Sequence, residues 1–228
     1  MQLFMLRLAS DSETLTPSSF MFDAPFFFSI LTIITKKWND PDMLQIGTTD
    51  KLTISEQRSH FTLWCLIKSP LLLANDLRTI PDEIWKIIAN EELIAIHQDP
   101  LGQQGYKRTK TSNSIGKSDD PEVWACDLQN GDVAVVLFNR STRTQDMKVS
   151  FGDVVDYREN SDTQAIANTA TTTTRISAHV RDLWAKADRG VYVDIYEAKV
   201  PSHDVVALRL SNITKSKIQQ PKFLRVTA

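Results

Sequence analysis

The sequence predicts an α/β segment followed by an all-β segment. Three observations carry this expectation. Residues 53–98 run in the order helix, apolar run, helix. From Leu101-Gly102 onward the helical period gives way to short apolar runs separated by turn residues. One of those separators, Asn130-Gly131-Asp132, sits between two such runs, and Asn-Gly accepts the positive φ of a type I′ hairpin turn.

The elements follow in order. Residues 1–37 mix apolar and Ser/Thr positions without a clear period, up to the dense run Phe26–Ile34. That run is shorter than the roughly 20 apolar residues a bilayer span needs. It reads as a buried strand, with a weak or misplaced membrane signal as the alternative. As a signal peptide it is poor, because Asp23 and Pro25 interrupt its approach and Lys36-Lys37 follow it. Thr53-Ile54-Ser55-Glu56 fits a capping box. Ile54, Phe61, Leu63, Trp64, Cys65, Leu66 and Ile67 then form the wide stripe of an amphipathic helix of about four turns. Pro70 ends it. Leu71-Leu72-Leu73, bounded by Pro70 and Asn75-Asp76, suits a parallel strand covered on both faces. Pro81 opens a helix with Ile84, Ile87 and Ile88 at core spacing, Asn90 breaks it, and Glu91–His97 give a further helical segment.

In the second segment, 123–128 and 133–138 form the expected hairpin, and 147–151 alternate. Val180–Trp184 precede a turn at 185–190, 191–196 form a strand, Pro201–Asp204 a turn, and 205–210 a last strand. Short strands with frequent turns predict an antiparallel sandwich or barrel. Residues 158–174, polar and Thr-rich, read as an exposed loop or edge insertion, and the Lys- and Gln-rich tail after Ser211 is expected to fray.

Composition narrows the function classes. The chain has 228 residues, 42% hydrophobic and 24% charged, as in ordinary globular proteins. A net charge of −2 gives no global basic field and argues against nucleic acid as a partner. Cys65 and Cys126 are far apart and form no CxxC, which argues against a zinc site or disulfide framework and leaves a single Cys65–Cys126 bridge open. His60, His97, His179 and His203 have no metal spacing, so no metal or cofactor is expected. Asn139-Arg140-Ser141 and Asn212-Ile213-Thr214 fit glycosylation acceptors. Trp184 and Tyr192 are open to two readings, sugar stacking or core packing, of which core packing is preferred.

The densest cluster of chemistry is Trp38-Asn39-Asp40-Pro41-Asp42-Met43-Leu44. Asp40 and Asp42 stand two residues apart, so on extended backbone they point in opposite directions. An Asx-turn at Asp40-Pro41 accounts for the first better than a catalytic pair does. This heptapeptide, the stretch Ser69–Arg78 and the stretch Ile96–Gly105 together resemble the second half of an α-galactosidase (melibiase) of glycoside hydrolase family 27. Val180–Trp184 and Val200–His203 resemble its C-terminal β domain.

The resemblance covers about Trp38 to Ser211. It implies the C-terminal remnant of a (β/α)8 barrel at 38–100, an antiparallel β-sandwich at 101–211, a tail at 212–228, and an N-terminal segment, 1–37, unlike the family. A barrel needs about 250 residues, so roughly six β/α units would be missing. Retaining hydrolysis uses two carboxyl groups about 5 Å apart. In the family both are aspartates on earlier strands, the nucleophile in a Lys-aromatic-Asp stretch, and none precedes Trp38. The resemblance therefore supplies no catalytic residue. It implies that Asp42 and Met43 contact the sugar, that Trp38 and Asp40 are structural beside them, and that the substrate is a galactoside. It also implies secretion or a lysosomal or vacuolar location, and homodimers in the full-length family. The expectation is a truncated α-galactosidase inactive alone. Two alternatives stay open: a non-catalytic β-sandwich that binds carbohydrate or a partner, and a non-functional product of a wrong gene boundary.

Overall fold

The computed structural model describes residues 43–48, 52–108, 121–155 and 173–218. Among the described residues four α-helices, α1 (Ile54–Leu66), α2 (Asp82–Ile88), α3 (Glu91–His97) and α4 (Phe151–Val155), accompany eight strands. The strands are β1 (Tyr106–Lys107), β2 (Glu122–Asp127), β3 (Val133–Phe138), β4 (Gln145–Ser150), β5 (Thr173–Asp182), β6 (Ala187–Val193), β7 (Ile195–Val200) and β8 (Val205–Ile218). Six form one antiparallel sheet in the order β1-β2-β3-β8-β5-β6, and β4 pairs with β7 in a second.

The large sheet is covered on both faces. Trp124, Cys126, Ala134, Val136, Phe138 and Ala207 pack with residues of α1, α2 and α3. Their neighbours along the same strands, Val123, Ala125, Val133, Val135, Leu137 and Leu208, pack with Met147, Val149, Phe151, Tyr196 and Val200 from the β4-β7 side. Successive side chains point to opposite faces of a sheet. This double cover is why 133–138 is apolar without alternation and buried throughout.

Helix α1 starts as expected. Glu56 N donates to Thr53 Oγ1 (3.2 Å), and Thr53 N donates to Glu56 Oε2 (2.8 Å). The expected two-sided helix is not found, because Gln57, Ser59, His60 and Thr62 are buried along with the apolar stripe. Lying between the other layers, α1 meets solvent only at its first turn, where Ile54 is exposed, and at Arg58, and its buried Ser59 and Thr62 bond inward. Ser59 Oγ donates to His203 O (2.8 Å), and Trp184 Nε1 donates to Thr62 Oγ1 (3.0 Å). Asn90 caps α3 by accepting from Glu92 N and Leu93 N, while its Nδ2 donates to Leu183 O (3.2 Å). One side chain thus starts a helix and ties the helical layer to the sheet.

The hairpin connection differs in one residue from a two-residue turn. Asn130 and Gly131 both take positive φ, 68° and 79°. Leu128 N donates to Asp132 O (2.8 Å), so three residues, 129–131, make the loop. The run 191–196 is two strands, since Asp194 at φ 64° hands the chain from the large sheet to the small one. Asp194 N donates to Ile176 O, Phe151 N to Asp194 O, and Ile176 N to Asp194 Oδ1. The turn expected at 185–190 is shorter, because β6 begins at Ala187. Of the expected loop 158–174, residues 158–172 lie outside the described residues, while 173–174 already belong to β5.

The tail does not fray at Ser211. Strand β8 continues to Ile218, with Thr214 to Ile218 paired to Thr173 to Ser177. Backbone pairing to a long neighbour holds this polar stretch, and Ile213 reaches the second core. Leu71-Leu72-Leu73 also departs from expectation. Leu44 and Leu73 form an isolated parallel bridge, and Leu72 and Leu73 are exposed rather than covered on both faces. Among the described residues, Leu44 is the only residue paired to this run as a strand neighbour. Cys65 and Cys126 are free thiols, both buried, so the open bridge is not made. Burial pushes Cys126 up to about 12 and Cys65 higher still.

Candidate functional site

The described part of the Trp38–Leu44 stretch begins at Met43, and Trp38, Asp40 and Asp42 lie outside the described residues. Met43 is 39% exposed, whereas Leu44 and Ile46 are fully buried. The segment is anchored by its backbone. Leu44 N donates to Leu72 O (2.8 Å), Gly47 N to Gln57 Oε1 (2.8 Å), and Asn75 Nδ2 to Ile46 O (2.7 Å). Gln57 in turn donates to Leu52 O (3.0 Å). Gly47 has φ +69°, and a Cβ there would meet Ile84 Cγ2 at 2.8 Å, so glycine is required both for conformation and for room. The partly exposed Met43 is thus held beside a hydrogen-bonded backbone. Gly47, Gln57 and Asn75 anchor that backbone, and sequence reasoning did not single them out. Asn75 carried a signal, as the polar residue that closes the apolar run at 71–74, whereas Gly47 and Gln57 carried none, because each depends on a partner placed by the fold.

Next to Asn75 in the chain, Asp76 is paired side-on with Arg78 (Nε–Oδ1 2.8 Å, Nη2–Oδ2 2.6 Å). The Arg78 hydrogen bonds hold the Asp76 carboxyl below its ordinary value. Its oxygens are engaged locally, as a loop clamp.

Asn139 does not serve as a glycosylation acceptor in this fold. It is fully buried. Its Nδ2, the atom a glycan would occupy, donates to Arg143 O (2.7 Å), Val200 O (3.0 Å) and Pro201 O (2.9 Å). Its Oδ1 accepts from Ser141 N and Ser141 Oγ. Asn-x-Ser here is a bracket joining the end of β3 to the β7-β8 turn. Asn212 is exposed, at φ 50° where β8 shifts register against β5.

Trp184 is half-buried against the first core, with the Arg58 guanidinium 4.7 Å from its ring centroid. Tyr192 meets Tyr196 edge-on at 4.8 Å and packs on the second core. His60 stacks on Trp64 at 3.9 Å, and His97 Nε2 lies 2.7 Å from Ser69 O. Among the described residues no group of three or more His, Cys, Asp or Glu side chains converges as metal ligands, and no helix is long and apolar enough to cross a membrane.

Comparison with known proteins bears directly on this arrangement. The family model for the alpha galactosidase C-terminal beta sandwich domain matches residues 118–210, and that for alpha galactosidase A matches 30–99. The second match begins eight residues before Trp38. The alpha-galactosidase of Cyamopsis tetragonoloba is 36% identical over 166 residues, covering 73% of this chain and 34% of that protein. Alpha-galactosidase A of Cellvibrio japonicus is 31% identical over 201 residues, covering 81% and 44%. The crystal structure of alpha-galactosidase I from Mortierella vinacea superposes with a TM-score of 0.63 at 29% identity, covering 76% of this chain and 39% of that one. The chain spans about a third of the length of the first of these relatives and less than half of the others. The two family matches, the relatives and the superposition agree in kind and in order along the chain: it belongs to the α-galactosidases of glycoside hydrolase family 27 and corresponds to their C-terminal portion.

Proposed function

We propose that this chain serves the hydrolysis of terminal, non-reducing α-D-galactosyl residues with retention of configuration, and that Asp42 and Met43 form one wall of the galactose pocket. The observation that carries this reading is Met43, half-exposed on a backbone pinned by Leu72, Gln57 and Asn75. A polarisable, unbranched side chain beside a hydrogen-bonded backbone suits the apolar face of a pyranose. Asp42, one residue earlier, accepts hydroxyl hydrogen bonds, and Trp38 and Asp40 shape the turn. The parallel Leu44–Leu73 bridge with α1 between its strands supports reading 38–100 as the last β/α units of a barrel. The sandwich from residue 101 then braces those units from outside the pocket. The substrate is a galactoside, and the setting is a secreted or lysosomal one, where Asn212 remains the exposed acceptor for a glycan. Full-length assembly is homodimeric.

The 228 residues contain no Lys-aromatic-Asp stretch before Trp38. Without the two carboxyl groups of a retaining glycosidase, this chain alone turns over no substrate. The test is release of nitrophenol from an aryl α-galactoside. The purified chain is expected to be inactive. Joined in frame behind a family barrel segment that carries both aspartates, it is expected to hydrolyse the substrate with retention, and Asp42→Ala is expected to remove that turnover. Hydrolysis by the 228 residues alone, lost in Asp42→Ala, would overturn the reading. The structure also weighs against a free-standing sandwich, since one face of its large sheet is covered by α1, α2 and α3.

A further inference from the structure

A groove of about 800 Å³ runs between α2, the first turn of α1, the β5-β6 turn and the start of β8. It shares no residue with the Asp42–Met43 wall. Trp85 lines it and is 54% exposed. The buried stripe of α2 is already complete in Ile84, Ile87 and Ile88, so Trp85 adds nothing to the core. Trp184 lines the same groove, and its ring is held by Thr62 and Arg58. Arg58 gives one Nη to Asp204 at 3.6 Å, while its Nε is buried without an acceptor. Glu83, Lys86 and Lys186 add a carboxylate and two ammonium groups to the lining.

We propose that this groove binds a neutral oligosaccharide. A pyranose presents one face of C–H groups and a rim of hydroxyls that both donate and accept. The exposed Trp85 ring offers a platform for the first, and the mixed set of Arg58, Glu83 and Lys86 offers partners for the second. An apolar peptide would bury those charges unpaired, at a cost. An anion would meet the Glu83 and Asp182 carboxylates. The volume lies in the range of small-ligand sites and admits about two or three pyranose units. Because both walls contribute, the site exists only where the helical layer meets the sandwich.

The experiment titrates the purified 228-residue chain with maltotriose, a neutral oligosaccharide without a galactosyl residue, read by tryptophan fluorescence and calorimetry. Saturable binding is expected and is not weakened by high salt. Trp85→Ala is expected to weaken it at least about tenfold, and Lys86→Ala several-fold. Both side chains are exposed, so thermal melts of both variants should match the parent. Because this probe has no α-galactosyl end for the Asp42–Met43 wall to take, failure here is distinguishable from failure of the galactose-pocket reading. The proposal is overturned if binding does not saturate or if Trp85→Ala binds as the parent does. It is equally overturned if trigalacturonate binds more tightly and is released by salt. Self-association abolished by Trp85→Ala would assign the surface to a second copy instead.

Discussion

His60 is wholly buried on the Trp64 ring, and burial pulls its pKa from 6.5 down to about 3. Between those values the unfolded chain binds a proton that the folded chain refuses. Stability is therefore complete above the unfolded pKa and is lost as pH falls from there toward 3. At about pH 5 the loss relative to neutral pH is about 2 kcal/mol. Urea denaturation at the two pH values checks this, and His60→Gln is expected to flatten the slope. A parent whose midpoint is the same at both pH values would sink the assignment. Asn139 illustrates the limit of a short motif. Asn-x-Ser is readable as an acceptor from sequence, yet three backbone carbonyls converge on its Nδ2 only when β3, β4 and β7 come together.

Among the elements, α1 was the most legible at its start and the least legible along its sides. Local chemistry sets the capping box, since Thr53 and Glu56 are three residues apart and need no distant partner. Thr53→Ala is expected to lower stability by about 1 kcal/mol, measured as a shift in the urea midpoint without a change in slope. No shift would mean the cap is replaced by water. The burial of Gln57, Ser59 and Thr62 was invisible locally, because their partners lie at Gly47, Leu52, His203 and Trp184. The Asn130-Gly131 hairpin was legible for the same reason as the cap, and its loop length was not, since register depends on cross-strand pairing. Strand β8 beyond Ser211 reads as a polar tail until β5 is placed beside it.

The molecule holds together through a seam between layers. Gly105 N donates to Leu66 O, Gln104 Nε2 to Ile67 O, and Arg181 forms two hydrogen bonds to Glu92 of 2.8 and 2.6 Å. A Cβ at Gly105 would stand 2.5 Å from Leu66, so the layers touch through backbone there. Removing residues 1–100 would expose Trp124, Val136, Phe138 and Ala207 on one sheet face. The 101–228 piece is therefore expected to bind a hydrophobic dye and to associate, as seen by light scattering. A monodisperse piece with a cooperative melt would show that the sandwich is stable without the helical layer.

Local rules sufficed for α1, α2, α3, the hairpin and the antiparallel character of the second segment, because caps, prolines, periodicity and Asn-Gly act within a few residues. Ordered motifs also sufficed for the family, since three stretches in the right sequence reflect descent and need no coordinates. Only the tertiary structure decided which residues face which layer. It covered both faces of the large sheet, turned Asn139 inward, left Cys65 and Cys126 as separate buried thiols, and set Trp85 and Trp184 around one groove. Those outcomes depend on contacts between residues far apart in the chain, and periodicity carries no information about what will stand opposite.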